Sequence, residues 1–448
     1  MALRQMQLFD QSVSTLVEVD MDHELVQMEK LIDWDRLTWM AMDLRKKRVK
    51  AIAGKEPHYR ELLGAVVLMA QRRVPYRVAA DLIAYYAPAR YLCNLMDSKW
   101  KIDPVTICEF TQMLGEEGMR EINKYILEKA VAARYADPSF LLSDTTAQEA
   151  KIPYPTEVGL MGKYIKKVSG LVRKARGKFA DVQKRVNKEL SKVKGLIKRA
   201  HIFSKTKESK RKVAKKLFHI VKGVHKKLRK SVLSGKKLTG KASLELKRLT
   251  EVMEKLLPQM EHFIETGFVA AKKIIHLDME KLYSIVRGKA GKSVEFGIKW
   301  GINRMKGGFI YGFLLGDGDH RSDKSFCMEA IRIHKKQFGK APETYGYDRG
   351  GYSGLNIKRT KMAGVKNVGI APTGKKAWEI SDNLKKKVIS ERSQVEGAIG
   401  AIKNPIYGFN KPEARSKKAM IVYGHRGILG FNLRKLVKCE LNLVGQQA

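Results

Sequence analysis

Three acidic residues, Asp144, Asp348 and Glu396, occupy positions from which a folded chain could gather them at one point. The two aspartates each end a predicted strand, and the glutamate lies on a predicted helix at about 380–402. Two neighbouring strand ends and one helix can bring three carboxylates together, and carboxylate oxygens are ligands that Mg²⁺ accepts. Two such ions about 4 Å apart activate the attacking oxygen and stabilise the leaving oxygen of a phosphodiester displacement. The three acids are therefore a minimal set for that chemistry.

Apolar runs separated by turn residues define the elements that must position these acids. A short buried strand is predicted over 139–145, ending close to Asp144, and another over 343–348, ending at Asp348. The other predicted elements of this part of the chain are strands at 293–302, 308–315 and 365–372 and helices at 323–339 and 415–438. The alternation of strands and helices predicts an α/β fold with a mixed sheet.

Three segments resemble the acidic blocks of the DDE transposases of bacterial insertion sequences. They are LLSDTTAQEAKIPYPTEVGLM (141–161), YGYDRGGYS (345–353) and ERSQVEGAIGAIKN (391–404). The third block follows the Tyr-x2-Arg-x3-Glu-x6-Lys signature of such enzymes through Arg392, Glu396 and Lys403, but Ile389 replaces the tyrosine. The resemblance extends over roughly 55–150 and 290–435.

The resemblance implies a ribonuclease-H-like catalytic core in which Asp144, Asp348 and Glu396 are both the catalytic residues and the ligands of two Mg²⁺ ions, with Mn²⁺ as a substitute. On a helix, positions 392, 396, 399 and 403 share one face. Arg392 and Lys403 are therefore candidate contacts to DNA phosphates, and Arg349 is a third.

Other acids near these blocks are weaker candidates. Glu391 competes with Glu396 for the third ligand position, and the signature favours Glu396. Asp317, Asp319 and Asp323 fall in a predicted loop after the hairpin, where we expect them to be solvated. Glu149 and Glu157, near the first block, are assigned no role.

The charge of the chain points to a polyanionic partner. Its 448 residues include 88 Lys and Arg against 46 Asp and Glu, for a formal net charge of +42. Roughly thirty of the cations and only four acids lie between Lys163 and Arg248. Apolar residues recur there at three- and four-residue spacing, which predicts amphipathic helices like those of an antiparallel coiled-coil hairpin. A solvated helix normally mixes charge signs, so we interpret this segment as an arm that grips DNA.

Spacing indicates that the arm is an insertion in the catalytic core. Asp144 and Asp348 are 204 positions apart, whereas a strand, hairpin, helix and strand need only about 60–80 residues. The predicted domains are a helical N-terminal DNA-binding region at 1–137, the first part of the core at 138–159, the basic helical insertion at 160–290, and the remainder of the core with a C-terminal helix at 291–448.

Composition excludes several classes of protein. The four cysteines form no CxxC pair, which argues against a zinc finger or a disulfide framework. The N-terminus lacks a secretory signal pattern, and no window approaches the roughly 18 apolar residues of a membrane span. We therefore expect a cytoplasmic protein, associated with the nucleoid when bound to DNA and with no membrane partner.

The function expected from the sequence is that of a DNA transposase. It would bind the terminal inverted repeats of its element and target DNA as a homo-oligomer, cleave a strand at each end, and transfer the 3′-hydroxyl to the target. Two alternatives stay open: a structure-selective nuclease on the same fold, and a non-enzymatic architectural protein that binds DNA through the arm alone. A degenerate, inactive transposase is a further alternative, which the intact acids disfavour.

Overall fold

A computed structural model describes residues 19–48, 56–175, 179–204, 206–234, 240–286, 294–316, 322–372, 374, 377–378 and 380–447, with the side chains up to 441. The chain divides into two compact units. The first contains the residues up to 148, residues 299–414 and those from 418 onward; the second contains 149–298 and 415–417.

Among the described residues, six helices precede the first strand. They are α1 (Glu24–Leu31), α2 (Trp34–Arg48), α3 (Tyr59–Arg72), α4 (Tyr76–Tyr85), α5 (Ala87–Leu92) and α6 (Pro104–Ala132). Helix α6 begins at a residue pair typical of helix starts: the Asp103 carboxylate accepts a hydrogen bond from the Val105 amide, and Pro104 occupies the first turn. Gly115 has a φ of 52° and kinks this helix.

A six-stranded mixed sheet carries the candidate acids. Its strands are β1 (Asp137–Glu149), β2 (Tyr283–Val286), β3 (Val294–Lys306), β4 (Ile310–Phe313), β5 (Thr344–Tyr347) and β6 (Asn367–Ile370). The order is β2-β3-β1-β5-β6, with β4 pairing β3 in addition. Strand β5 is parallel to both β1 and β6, whereas β3 is antiparallel to β2 and β4. The predicted hairpin and the strands before and after the second acid are confirmed.

The first predicted strand is longer than expected. Strand β1 runs to Glu149, so Asp144 lies within the strand and does not end it. The reason is that β1 has β3 as its other neighbour, and the Ala150 amide still donates to the Phe296 carbonyl after the strand ends. A long partner strand therefore keeps β1 extended beyond the acid.

Four helices follow β4. They are α11 (Asp323–Phe338), α12 (Gly354–Met362), α13 (Asp382–Lys403) and α14 (Lys417–Gln447). Helix α13 packs against β5 and β6, and α12 packs against β6 and α11. Helix α14 is longer than the predicted 415–438, and its Gly424 lies against the buried Trp300 of β3, where an added Cβ would come within 2.4 Å of the indole.

The second unit contains four long helices, α7 (Glu157–Lys174), α8 (Ala180–Ile202), α9 (Lys207–Leu233) and α10 (Lys241–Thr266). Their apolar residues form a separate core of the unit. Helix α8 packs against α7 and α9, and α10 also packs against α7 and α9. The amphipathic helices predicted from the spacing are present, but they form a four-helix bundle and not a two-helix hairpin. The segment SGKKLTG (234–240), whose composition is typical of a turn, lies almost entirely outside the described residues.

Candidate active site

The register of two parallel strands places Asp144 beside Asp348. Leu142 on β1 is paired with Gly346 on β5. Two residues further along each strand, the same register puts the two aspartates at equivalent positions and on the same face, because side chains alternate with a period of two. The negative charge of Asp348 contributes, after burial, to the raised pKa of Asp144. The structure therefore brings together two of the three predicted acids.

Both carboxylates are held in surroundings that disfavour their charge. Burial raises the pKa of Asp144 to about 6, and the neighbouring Asp348 and Asp323 add to the shift. The amide of Thr145, which donates to Asp144 Oδ1 over 2.6 Å, opposes it. Burial also raises the pKa of Asp348, followed by the charge of Asp323. Such raised pKa values are common at sites that handle protons or cations.

One oxygen of Asp348 is buried without a hydrogen bond. The amides of Gly350 and Gly351 act on this carboxyl group and lower its pKa, but its Oδ1 accepts no hydrogen bond from the described part of the chain. Buried carboxylate oxygens are normally satisfied, so this one calls for a partner such as a cation. The hydroxyl of Tyr347 is likewise buried without a partner among the described residues, and the charges of the acids contribute to the raised pKa of Tyr347.

Asp323 belongs to this cluster, and the expectation that it is solvated is wrong. It is the first residue of α11, and its Oδ1 accepts hydrogen bonds from Thr145 Oγ1 at 2.9 Å and from Lys299 Nζ at 2.7 Å. Its Oδ2 and Asp348 Oδ1 each lie 3.0 Å from the position that a Cβ on Gly350 would occupy. The two carboxylates thus flank Gly350, where a side chain would displace both. Asp317 and Asp319 lie outside the described residues.

The sequence contained a partial signal for Asp323. Ser322 is an N-cap, accepting a hydrogen bond from the Ser325 amide, and Ser before an apolar-periodic run marks a helix start. The cap agrees with the helix predicted over 323–339, whose first residue is Asp323, and not with a loop at that position. Its contacts with Thr145 and Lys299 depend on how distant elements pack, which no local pattern shows.

Helix α13 places its three signature residues differently. Arg392 lies on the side of the aspartates, since its positive charge lowers the pKa of both Asp144 and Asp348. Glu396 is 63% exposed, and its contact is with Arg392 at 4.0 Å, not with an aspartate. Lys403 is half-buried at the last turn of the helix.

The remaining sequence candidates are also accounted for. Arg349 is exposed on a short 3-10 turn, Arg349–Gly351, directly after Asp348. Glu391 is occupied by an ion pair with Arg304 at 2.7 Å, in which the arginine side chain is 8% exposed. Across the ranges that the structure describes, no group of three His, Cys, Asp or Glu side chains is arranged to hold a metal ion.

Comparison of the chain with protein-family models, with curated proteins and with solved structures found no match. The described helices include none that is both long enough and apolar enough to cross a membrane.

Proposed function

We propose that the chain is a DNA transposase with a ribonuclease-H-like core, which cleaves and rejoins phosphodiester bonds at one two-metal site. The observation that carries the proposal is that the register of the parallel strands β1 and β5 brings Asp144 beside Asp348. The Oδ1 atom of Asp348 is buried there and has no hydrogen-bond partner among the described residues. The segments that resemble the first two acidic blocks of DDE transposases contain these two residues.

The aspartates suit a hard divalent cation. Their oxygens are the ligand type that Mg²⁺ and Mn²⁺ take. Burial raises the pKa of each carboxyl group, and nearby negative charge adds to the shift, from Asp348 and Asp323 at Asp144 and from Asp323 at Asp348. A cation between them would remove both penalties. When bound, two such ions supply activation of the attacking oxygen and stabilisation of the leaving oxygen.

Glu396 is the proposed third ligand. Its exposed side chain lies one helical turn from Arg392, whose charge acts on both aspartates. The rival Glu391 is held by the nearly buried Arg304. We infer that Glu396 turns towards the aspartates when cations and DNA are present, since the conformation described leaves it beside Arg392.

Arginine and lysine side chains position the DNA in this scheme. Arg392 would bind the phosphate that is cut, since it is close enough to influence both carboxylates and its fork of donors matches a phosphate. Arg349 and Lys403 would hold phosphates on either side, and the N-terminal helices would bind the element ends. The chemistry needs no covalent protein–DNA intermediate, so no nucleophilic side chain is assigned. A chain with this function would act in the cytoplasm, as a homo-oligomer on DNA.

The test uses the purified full chain, Mg²⁺ and a plasmid that carries the DNA flanking its reading frame. We expect cleavage at the ends of the element and joining of the 3′-ends to a second plasmid. Asp144→Asn, Asp348→Asn and Glu396→Gln should each abolish both steps and leave DNA binding intact. Asp382→Asn is the matched control, because Asp382 lies on α13 with an 87% exposed side chain.

The products separate the proposal from its alternatives. Hydrolysis without joining would indicate a nuclease on the same fold. Binding without any metal-dependent cleavage would indicate an architectural protein. Full cleavage by Asp348→Asn in Mg²⁺ would refute the assignment of the site.

A further inference from the structure

Charge is divided unequally among the four helices of the bundle. Helix α9 carries eleven Lys or Arg residues and one acid, and α8 carries seven Lys or Arg residues and two acids. Helix α10 carries four Lys or Arg residues and five acids, so its net charge is −1. A bundle that needed charge only for solubility would mix signs on every helix. One side of this bundle is instead almost purely cationic.

The side of α9 that faces α10 contains paired cations. Lys222 contacts Glu261 at 3.3 Å, and Arg229 contacts Glu254 at 2.8 Å. Arg211 donates to the carbonyl oxygens at the end of α10. The acids of α10 therefore neutralise Lys222 and Arg229 on this edge of α9.

The side of α9 that faces α8 is different. Gly223 lies on this side of α9, because a Cβ atom added to it would be 3.3 Å from Nη2 of Arg185 on α8. Lys216, Lys227 and Lys230 fall within about 40° of Gly223 around the helix. All three are exposed, and no acidic partner is seen for them among the residues described.

Helix α8 continues this surface. Lys184, Lys188 and Lys192 are exposed, lie at i, i+4 and i+8, and have no acidic partner within the described ranges. The nearby Glu189 is buried and paired with Arg185 at 3.3 Å. Like charges at this spacing repel each other by a few tenths of a kcal/mol per pair. We name these three residues of α8, with Lys216, Lys227 and Lys230 of α9, the cationic face.

We propose that the cationic face binds the phosphates of double-stranded DNA without regard to sequence. On α9 the face extends from Lys216 to Lys230, about 21 Å at 1.5 Å per residue, which matches roughly six phosphates of one DNA strand at 3.4 Å each. Lysines bind phosphate as point charges and read no bases. The choice of duplex DNA over another polyanion rests on the proposed function, whereas the location of the face does not.

The test measures binding of a fluorescein-labelled 30-base-pair duplex of arbitrary sequence by anisotropy, with EDTA, over a range of KCl concentrations. The full chain is compared with two triple variants of equal charge change. One is Lys184→Gln, Lys188→Gln and Lys192→Gln on α8; the other is Lys241→Gln, Lys247→Gln and Lys255→Gln, whose lysines are exposed on α10. Thermal unfolding confirms that both variants are folded.

We expect the α8 variant to bind at least roughly tenfold more weakly in 0.1 M salt, with a salt slope smaller by about 2–3, since each lost phosphate contact accounts for about 0.9. The α10 variant should lower the slope by less than about 1. Equal losses in both variants, or no loss in either, would overturn the inference. So would tighter binding of single-stranded RNA or of phosphatidylserine vesicles than of the duplex by the unmodified chain.

Failure of this inference can be distinguished from failure of the proposed function. If the unmodified chain cleaves and joins DNA but the α8 variant binds normally, only the cationic face is wrong. If the α8 variant loses binding and the unmodified chain shows no metal-dependent cleavage, the face stands and the proposed enzyme does not.

Discussion

The acid cluster of the sheet and the cationic face of the bundle differ in sign and in how their unfavourable charge is distributed. At Asp144 and Asp348, the unfavourable charge is concentrated in two half-buried carboxylates. On α8 and α9, repulsion is spread over exposed rows of lysines that water and salt screen. The first arrangement requires close positioning by a sheet. The second requires only an amphipathic helix with a narrow apolar seam. We therefore expect substitutions in the first region to affect chemistry and those in the second to affect affinity.

The largest effect should come from the third acid. Glu396→Gln should lower the rate of Mg²⁺-dependent strand cleavage on the order of 10³-fold, because removal of one electrostatic stabiliser of a transition state costs about that much. The measurement is single-turnover cleavage of the flanking DNA.

Asp323→Asn provides the comparison for this prediction. Asp323 already has Thr145 and Lys299 as partners, so we expect a loss well below that of Glu396→Gln. If Glu396→Gln is active and Asp323→Asn is not, the third ligand is Asp323 and the resemblance to the Arg-x3-Glu-x6-Lys signature is misleading. That result would place the whole site on the sheet and α11.

The two regions also differ in how much the sequence reveals. The bundle could be predicted in outline, because the three- and four-residue spacing of its apolar residues is a local property of each helix. Its packing as four helices could not, since the helix partners are set by tertiary contacts. The strands before Asp348 and after it were also predictable from their short apolar runs.

The acid cluster was predictable only in part. The order of elements suggested that Asp144 and Asp348 meet, and the register of β1 and β5 brings them together. The place of Asp323 was missed, because its contacts with Thr145 and Lys299 span 178 and 24 positions of the chain. The orientation of Glu396 was also beyond reach, since a helical pattern fixes the face of a residue but not the rotamer of its side chain.

Truncation of a buried side chain of α9 tests whether that helix packs in the bundle core as its burial indicates. Leu217→Ala on α9 removes a fully buried side chain and should lower the free energy of unfolding of the bundle by about 2–5 kcal/mol. Urea unfolding followed by circular dichroism measures the change. Leu233→Ala is the control, because Leu233 is 66% exposed and its loss should cost little. Equal effects of the two substitutions would contradict the packing of α9 described here.

Neutralisation of Asp144 should stabilise the protein in a pH-dependent way. Its pKa is about 6 in the folded state, against an ordinary value of 3.8. The folded chain therefore binds more protons than the unfolded chain between these values, and stability falls as the pH rises from about 4 to 6. Asp144→Asn removes this loss, so in EDTA it should raise the free energy of unfolding at pH 7.5 by up to about 3 kcal/mol.

The gain should disappear near pH 4, where Asp144 is largely protonated in the folded chain. Thermal unfolding at the two pH values measures it, and added Mg²⁺ should stabilise the unmodified chain more than the variant, because a bound cation favours the charged carboxylate. An Asp144→Asn variant that is less stable than the unmodified chain at pH 7.5 would show that Asp144 is satisfied by contacts of the protein alone.

The smallest effect should come from the paired edge of α9. The Arg229–Glu254 pair is exposed on both sides, at 57% and 46%, and such pairs typically contribute 0.2–1 kcal/mol that salt screens. A double-mutant cycle of Arg229→Gln and Glu254→Gln should give a coupling energy in this range that shrinks in 0.5 M KCl. Arg229→Gln should also leave the affinity for duplex DNA nearly unchanged, since that arginine already has a carboxylate partner. A tenfold loss of DNA affinity on this substitution would mean that DNA displaces the α10 acids from α9, and the distinction between a paired edge and the cationic face would then fail.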